Sequence, residues 1–122
     1  IHPQLLKAPI VLLSGGETTV TIKGNGRGGR NSEFLLSLLI ELDGLKDIYA
    51  LACDTDGLDG TENNAGALIS PDSLVRARQL GLNAASFLIN NDAYTFFEQL
   101  NDLVITGPTY TNVNDYRAIL IL

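Results

Sequence analysis

The chain has 122 residues, of which 45% are hydrophobic and 18% are charged, a composition typical of one compact, ordered domain. Its formal net charge of −6 argues against a general nucleic-acid-binding or anionic-membrane-binding surface, so an anion site must be a local concentration of basic residues. Cys53 is the only cysteine, which excludes an internal disulfide and a cysteine-based metal cluster and makes a reduced, cytoplasmic compartment the expected one.

The chain begins IHPQLLKAP and contains no methionine. This is not typical of a natural translation start, so we expect a piece of a longer protein, although removal of an initiator methionine would give the same beginning. Residues 1–8 would then be the remnant of a preceding segment, and residues 9–122 would form the domain. His2, near the beginning of the chain, is assigned no role.

The first half of the chain predicts two strands and a long helix. Residues 9–14 form an apolar run that ends at a glycine pair, as a buried strand and a turn do. Residues 18–23 alternate polar and apolar side chains, which predicts a half-buried strand and a hairpin with the first. The segment from Asn31 to Gly44 predicts a helix with Asn31 as N-cap, and its apolar residues lie on more than one side.

The second half alternates strands with helices. Residues 48–53 are a continuous apolar run, which suits a central strand. Residues 70–81 predict a helix, with a serine cap, a proline in the first turn and a glycine beyond the end. A helix over 92–100 and strands over 103–106 and 117–122 complete the chain. This order predicts an α/β layered domain with a mixed β-sheet flanked by helices.

The glycine-rich segment GNGRGGRN, residues 24–31, lies between a predicted strand and a predicted helix. Its first, third and sixth residues match the dinucleotide-binding pattern G-x-G-x-x-G. However, the acidic residue that should meet a ribose is expected about 20 residues on, and Asp54 comes thirty residues after Gly24. The segment also differs from the P-loop pattern G-x-x-x-x-G-K-[ST] at both positions whose side chains contact phosphate or Mg²⁺. Arg30 stands in place of the lysine and Asn31 in place of the serine or threonine.

A more general interpretation of this segment is better supported. Glycines let the backbone approach a ligand, a helix N-terminus presents N–H groups, and Lys23, Arg27 and Arg30 supply positive charge. The segment could therefore bind a phosphate or a carboxylate. It could equally be a turn whose arginines pair with acidic residues of this chain, and the residues alone leave both open.

Two further polar loops follow predicted strands. The segment DTDGLDG sets Asp54, Asp56 and Asp59 just past an apolar strand, where open α/β sheets bind ligands. These carboxylates would suit Mg²⁺, whereas Leu58 at the fifth position excludes an EF-hand; the alternative is a polar turn. The segment TGPTYTNVND, residues 106–115, offers hydroxyls and amides for a polyhydroxy substrate or a nucleotide, or forms a structural turn.

Three segments in this order and spacing resemble the C-terminal domain of the class II glycerate kinases, often called the MOFRL domain. They are SGGETTVTIKGNGRGGRNSEF, DTDGLDGTENNAGA and TGPTYTNVND, and the resemblance covers residues 9–122. The chain departs from the family pattern at Ser32, where glutamine is usual, at Asn63-Asn64, where Asp-Ala is usual, and at Tyr110, where glycine is usual.

The resemblance implies an enzyme that uses ATP and Mg²⁺ to transfer a phosphoryl group to D-glycerate, giving 2-phosphoglycerate. In full-length members a larger Rossmann-like domain precedes this one and carries the catalytic lysine, so the active site would lie in the cleft between them and this chain alone would be inactive. Members also carry the name hydroxypyruvate reductase. An NAD(P)H-dependent reductase and a non-catalytic docking or oligomerisation module are therefore the alternatives. No nucleic-acid or membrane partner is expected, and a homodimer stays open.

The resemblance also implies roles for individual residues. Arg30 and Asp54 would be catalytic, with Arg30 stabilising the transition state or holding the substrate. Asp54 and Asp56 would bind Mg²⁺, directly or through water, or position the glycerate hydroxyls. The contacts to substrate or phosphate would come from Glu17, Gly26, Arg27, Gly28, Gly29, Asn31, Asp59, Thr109, Asn112, Asn114 and Asp115.

Overall fold

The computed structural model describes residues 7–16 and 24–122. The predicted strand over 18–23, together with His2, Glu17 and Lys23, lies outside these residues. The described residues form, in chain order, β1 (Ile10–Gly16), α1 (Arg30–Leu42), β2 (Ile48–Asp54), β3 (Gly66–Ile69), α2 (Ser73–Gln79), α3 (Ala84–Ile89), α4 (Ala93–Leu100), β4 (Leu103–Val104) and β5 (Asp115–Ile121).

The strands form one sheet in the order β1-β5-β2-β3-β4. The predicted α/β layered domain with flanking helices is confirmed. The prediction of a mixed sheet is wrong, because every neighbouring pair of described strands is antiparallel. The reason lies in β5. Strands β1 and β2 run in the same direction and are joined through α1, but β5 inserts between them and runs antiparallel to both.

The helices cover one face of this sheet, and α1 lies at the centre of the core. The small side chains of Ala50 and Ala52 on β2 are buried beneath α1, which allows the helix to pack closely on the sheet. As its apolar pattern predicts, α1 also contacts α2, α3 and α4. The core consists of Leu35, Leu36, Leu39, Ala50, Ala52, Ala67, Ile69, Leu74, Ala77, Ala84, Ala93, Phe96, Phe97 and Leu100.

The opposite face of the sheet, which we call the outer face, is apolar and exposed. The strand register places Val11, Tyr49 and Leu120 on this face, because their neighbours Ala50 and Ile119 point toward the helices. The exposed apolar side chains there are Val11, Leu13, Tyr49, Leu68 and Tyr116. An apolar surface extending over four strands is larger than isolated surface residues explain, so it is a candidate for contact with further protein.

Two elements, β3 and α3, were not predicted from the sequence. Strand β3 has only four residues and pairs with β2 across a long polar loop. The predicted helix over 70–81 is shorter in the structure, beginning at Ser73 instead of directly after Ser70. Among the described residues, no helix has the length and hydrophobicity needed to cross a membrane.

Candidate functional site

Arg30 lies between two aspartates at one end of the sheet. Asp54 ends β2 and Asp115 begins β5, and the register places them directly opposite each other. The Nη2 atom of Arg30 donates to Oδ2 of Asp54 at 2.6 Å, and its Nε donates to Oδ1 and Oδ2 of Asp115 at 3.0 and 2.8 Å. One guanidinium therefore bridges two carboxylates that would otherwise repel each other across neighbouring strands.

The three side chains of this bridge differ in exposure. The Asp115 side chain is fully buried and that of Asp54 nearly so, whereas 24% of the Arg30 side chain is exposed. Burial raises the pKa of the Asp54 carboxyl above its ordinary value and the Asp56 carboxylate adds to this, while the hydrogen bond from the Asp56 backbone N–H and the charge of Arg30 act against it. Because Arg30 is the positively charged and most exposed group of the three, it is the one that can contact an anion at this end of the sheet.

Asp59 occupies the N-terminal end of α1. Its Oδ1 accepts a hydrogen bond from the backbone N–H of Asn31, and its Oδ2 accepts from the backbone N–H and the hydroxyl of Ser32. Asp59 is fully buried, so in this conformation it caps the helix and is not exposed to a ligand. Asn31, predicted as the N-cap, lies inside the helix, and Gly29 holds the N-cap position.

The glycine-rich segment packs against the connection between α3 and α4. The backbone N–H groups of Gly24, Gly26 and Arg27 donate to Asn91 Oδ1, to the carbonyl oxygen of Asn90 and to Asp92 Oδ1 at 2.8–2.9 Å. A β-carbon on Gly24 or Gly26 would collide with Asn90 or Asp92, and one on Gly29 would collide with Asp59. Close backbone packing within the protein therefore accounts for three of the glycines.

Arg27 faces solvent. Its guanidinium makes a two-point ion pair with Glu62, with donor–acceptor distances of 3.0 and 3.1 Å, and its Cζ lies 4.3 Å from the ring centroid of Tyr94. The backbone of Arg27 is also fixed, because the N–H of Tyr94 donates to its carbonyl oxygen. Contacts on several sides hold this exposed arginine in one orientation.

The second and third polar loops lie side by side. The backbone N–H of Thr55 donates to the carbonyl oxygen of Asn114 at 3.0 Å, and that of Thr109 donates to the carbonyl oxygen of Asp56 at 2.9 Å. Thr109, Asn112 and Asn114 are exposed. The structure therefore brings these three predicted residues to the surface next to Asp54 and Asp56. Glu17 lies outside the described residues.

Asp54 and Asp56 were predicted as Mg²⁺ ligands. Oδ1 of Asp54 accepts from the backbone N–H of Asp56, and Oδ1 of Asp56 accepts from that of Leu58. Within the described part of the chain, no group of three or more histidine, cysteine or acidic side chains could hold a metal ion. Two carboxylates fit a Mg²⁺ ion that keeps several waters and shares substrate phosphates, so the assignment stays a prediction.

Several residues at this end of the sheet were assigned no role from the sequence. Asn64 is fully buried and its Nδ2 donates to Ser32 Oγ and to the carbonyl oxygen of Gly66. Glu62 and Tyr94 fix Arg27 from 35 and 67 residues away along the chain. No local pattern marks these partners. Cys53 is half-buried, and burial raises the pKa of its thiol to about 11, as suits an unreactive residue.

Comparison with known proteins gives matches over nearly the whole chain. The sequence profile of the MOFRL family matches residues 10–115. A protein of Agrobacterium vitis with the provisional name hydroxypyruvate reductase is 62% identical over 118 residues, which are 95% of this chain and 31% of that protein. The D-glycerate 2-kinase of Thermotoga maritima is 43% identical over 117 residues, which are 96% of this chain and 28% of the kinase.

The fold has a solved counterpart as well. The crystal structure of a glycerate kinase from Thermotoga maritima superposes with a TM-score of 0.94 at 41% identity, over 98% of this chain and 29% of that one. The chain thus spans only 28% to 31% of the length of these relatives. The relatives contain further protein that this chain does not match.

Proposed function

The chain belongs to the MOFRL family, and on that premise we propose that it is the C-terminal domain of an ATP-dependent glycerate 2-kinase. The enzyme would transfer the γ-phosphoryl group of ATP to the 2-hydroxyl of D-glycerate, giving 2-phosphoglycerate. The kinase names of relatives 41–43% identical over nearly the whole chain support this proposal. The nucleotide would be ATP with Mg²⁺, and the compartment would be the cytoplasm.

The bridge formed by Arg30 is the observation that carries the proposal. Phosphoryl transfer requires little covalent chemistry from the protein, so its main needs are positioning and neutralisation of the charge on the transferred group. Arg30 is partly exposed at the junction of the three loops, with its guanidinium held by Asp54 and Asp115. We assign it the stabilisation of charge on the phosphoryl group in the transition state.

The remaining predicted residues divide by exposure. Arg27, Thr109, Asn112 and Asn114 are exposed and would contact nucleotide or glycerate directly. Asn31 and Asp59 are fully buried and would support the site from beneath it. Gly26, Gly28 and Gly29 would contribute through the shape of the backbone, and Asp54 with Asp56 would hold the Mg²⁺ that accompanies ATP, supplying charge neutralisation on its phosphates.

The outer face of the sheet supports a two-domain enzyme. Because that face is apolar and exposed, and because the relatives are about three times as long as this chain, we propose that the rest of the polypeptide packs there. That remainder would include the Rossmann-like domain expected from the resemblance. The active site would then need both domains, and this chain alone would show no turnover.

The reductase name of one relative favours a second candidate, an NAD(P)H-dependent hydroxypyruvate reductase. This activity needs a dinucleotide site. The only sequence pattern for one is the glycine-rich segment, whose N–H groups at Gly24, Gly26 and Arg27 are already bonded within the protein. Oxidation of NADH in the presence of hydroxypyruvate and without ATP would favour this candidate.

The experiment is an assay of the full-length polypeptide that carries this chain, with ATP, Mg²⁺ and D-glycerate, and product identification by ³¹P NMR. Arg30→Ala should lower kcat/KM by at least about 100-fold. Arg76→Ala is the matched control, because Arg76 also bridges two aspartates, Asp72 and Asp102, between α2 and the end of α4. A loss below about tenfold for Arg30→Ala would refute the assigned role.

A further inference from the structure

We infer that Asp115 is a positioning residue that orients Arg30 for phosphoryl transfer, an inference that rests on the proposed function. Asp115 was predicted as a ligand contact. Its side chain is fully buried, so in this conformation it acts on a ligand only through the groups that it holds. The principal one is Arg30, whose Nε donates to both of its oxygens.

The geometry of the contact distinguishes Asp115 from Asp54. Asp115 holds Nε, the nitrogen nearest the aliphatic stem of Arg30, and therefore fixes the plane of the guanidinium where the side chain enters the site. Asp54 holds Nη2 at the far end of the same group. A ligand or a metal ion can therefore bind the Asp54 carboxylate while Asp115 still holds the guanidinium in place.

Asp115 is itself held by buried neighbours. Nδ2 of Asn31 donates to Oδ1 of Asp115 at 2.9 Å, and Nη1 of Arg117 lies 3.8 Å from Oδ2. Asn31 is in turn fixed through its backbone N–H by Asp59. These contacts connect the first turn of α1 to the start of β5, both well-packed elements, so the carboxylate that aims Arg30 cannot readily move.

The experiment compares Asp115→Asn with Asp102→Asn in the full-length polypeptide. Asp102 accepts from Nη2 of Arg76 at 2.7 Å, so its variant also loses one charge from an aspartate–arginine pair. Asp115→Asn should lower kcat by about 10²-fold through misplacement of Arg30, with a much smaller change in KM, and Asp102→Asn should leave kcat within about threefold of wild type.

Two further readouts separate positioning from a loss of folded protein. In the Arg30→Ala background, Asp115→Asn should change kcat by less than about threefold, because the residue through which it acts is gone. An equal loss in both backgrounds would overturn the inference. Should Asp115→Asn fail to fold, Asp115→Glu keeps the charge and displaces it by one methylene; an unchanged kcat in that variant would overturn the inference as well.

A measurement that does not depend on the reaction tests the geometry itself. In protein labelled with ¹⁵N-arginine, the Nε–H signal that Arg30→Ala removes should shift and exchange faster in Asp115→Asn and stay in place in Asp102→Asn. A signal that Asp115→Asn leaves unchanged would overturn the inference. If the wild-type protein does not phosphorylate glycerate, the proposed function fails, and this signal still decides whether Asp115 holds Arg30.

Discussion

The buried carboxylate of Asp59 gives the sharpest prediction on stability. It accepts hydrogen bonds from the backbone N–H groups of Asn31 and Ser32 and from the Ser32 hydroxyl, at 2.7–3.0 Å. Asp59→Asn replaces one oxygen by an NH₂ group, which faces at least one N–H donor. A helix cap contributes about 0.5–2 kcal/mol, and a buried donor left unsatisfied costs about 1–3 kcal/mol. We therefore expect the free energy of unfolding to fall by about 2–4 kcal/mol.

The assay is urea unfolding at neutral pH. The free energies of unfolding of wild type and variant are compared with the same dependence on urea concentration (m-value) for both. Asp43→Asn is the control, because Asp43 is exposed, follows the end of α1 and has a left-handed backbone that asparagine adopts well. The control should lie within about 0.5 kcal/mol of wild type. A change below about 1 kcal/mol for Asp59→Asn would refute the reasoning that Asp59 fills the end of α1.

Two further predictions concern packing. Gly26→Ala should lower the free energy of unfolding by about 1–3 kcal/mol, because its β-carbon would collide with Asp92. Gly15→Ala, whose β-carbon meets only an ordinary contact, should be neutral or slightly stabilising; equal effects would contradict the packing argument. In the full-length polypeptide, Leu13→Lys should lower the free energy of unfolding by about 2 kcal/mol or more, because Leu13 lies on the outer face that we propose is covered. Leu80→Lys, similarly exposed at the end of α2, should lower it by less than about 0.5 kcal/mol. Equal unfolding midpoints for these two would show that the outer face stays open to solvent.

Much of the fold could be predicted from local patterns. The apolar runs locate β1, β2 and β5, and the periodic segment after the glycines locates α1. Strand β3 and helix α3 were not predicted because each is too short to show a hydrophobic periodicity, and tertiary packing decides their structure. The antiparallel pairing of the strands was not predicted for a different reason. It depends on β5, the last strand of the chain, entering between β1 and β2.

The candidate site shows the same division. The placement of Asp54 at a strand end and Arg30 at a helix start follows from sequence, since each lies at the boundary of a strongly patterned segment. The pairing of Arg30 with Asp115, 85 residues away, does not, because it requires β5 to lie beside β2 with Asp115 opposite Asp54, and no local rule fixes that register. The cap of α1 likewise comes from Asp59, in another loop, and not from the Asn31 that the sequence favours.

These contacts explain why the segment GNGRGGRN is rich in glycine although it lacks the acidic residue of a dinucleotide site and the lysine of a P-loop. In those patterns the glycines free backbone N–H groups for a phosphate. Here the N–H groups of Gly24, Gly26 and Arg27 are bonded to the α3–α4 connection, and the end of α1 is filled by Asp59. The glycines therefore let the segment lie close to its own protein, where backbone hydrogen bonds hold it. An anion at this surface would be met by the Arg27 and Arg30 guanidinium groups, already oriented by their carboxylate partners, and such preorganised charge is what a phosphoryl-transfer site requires.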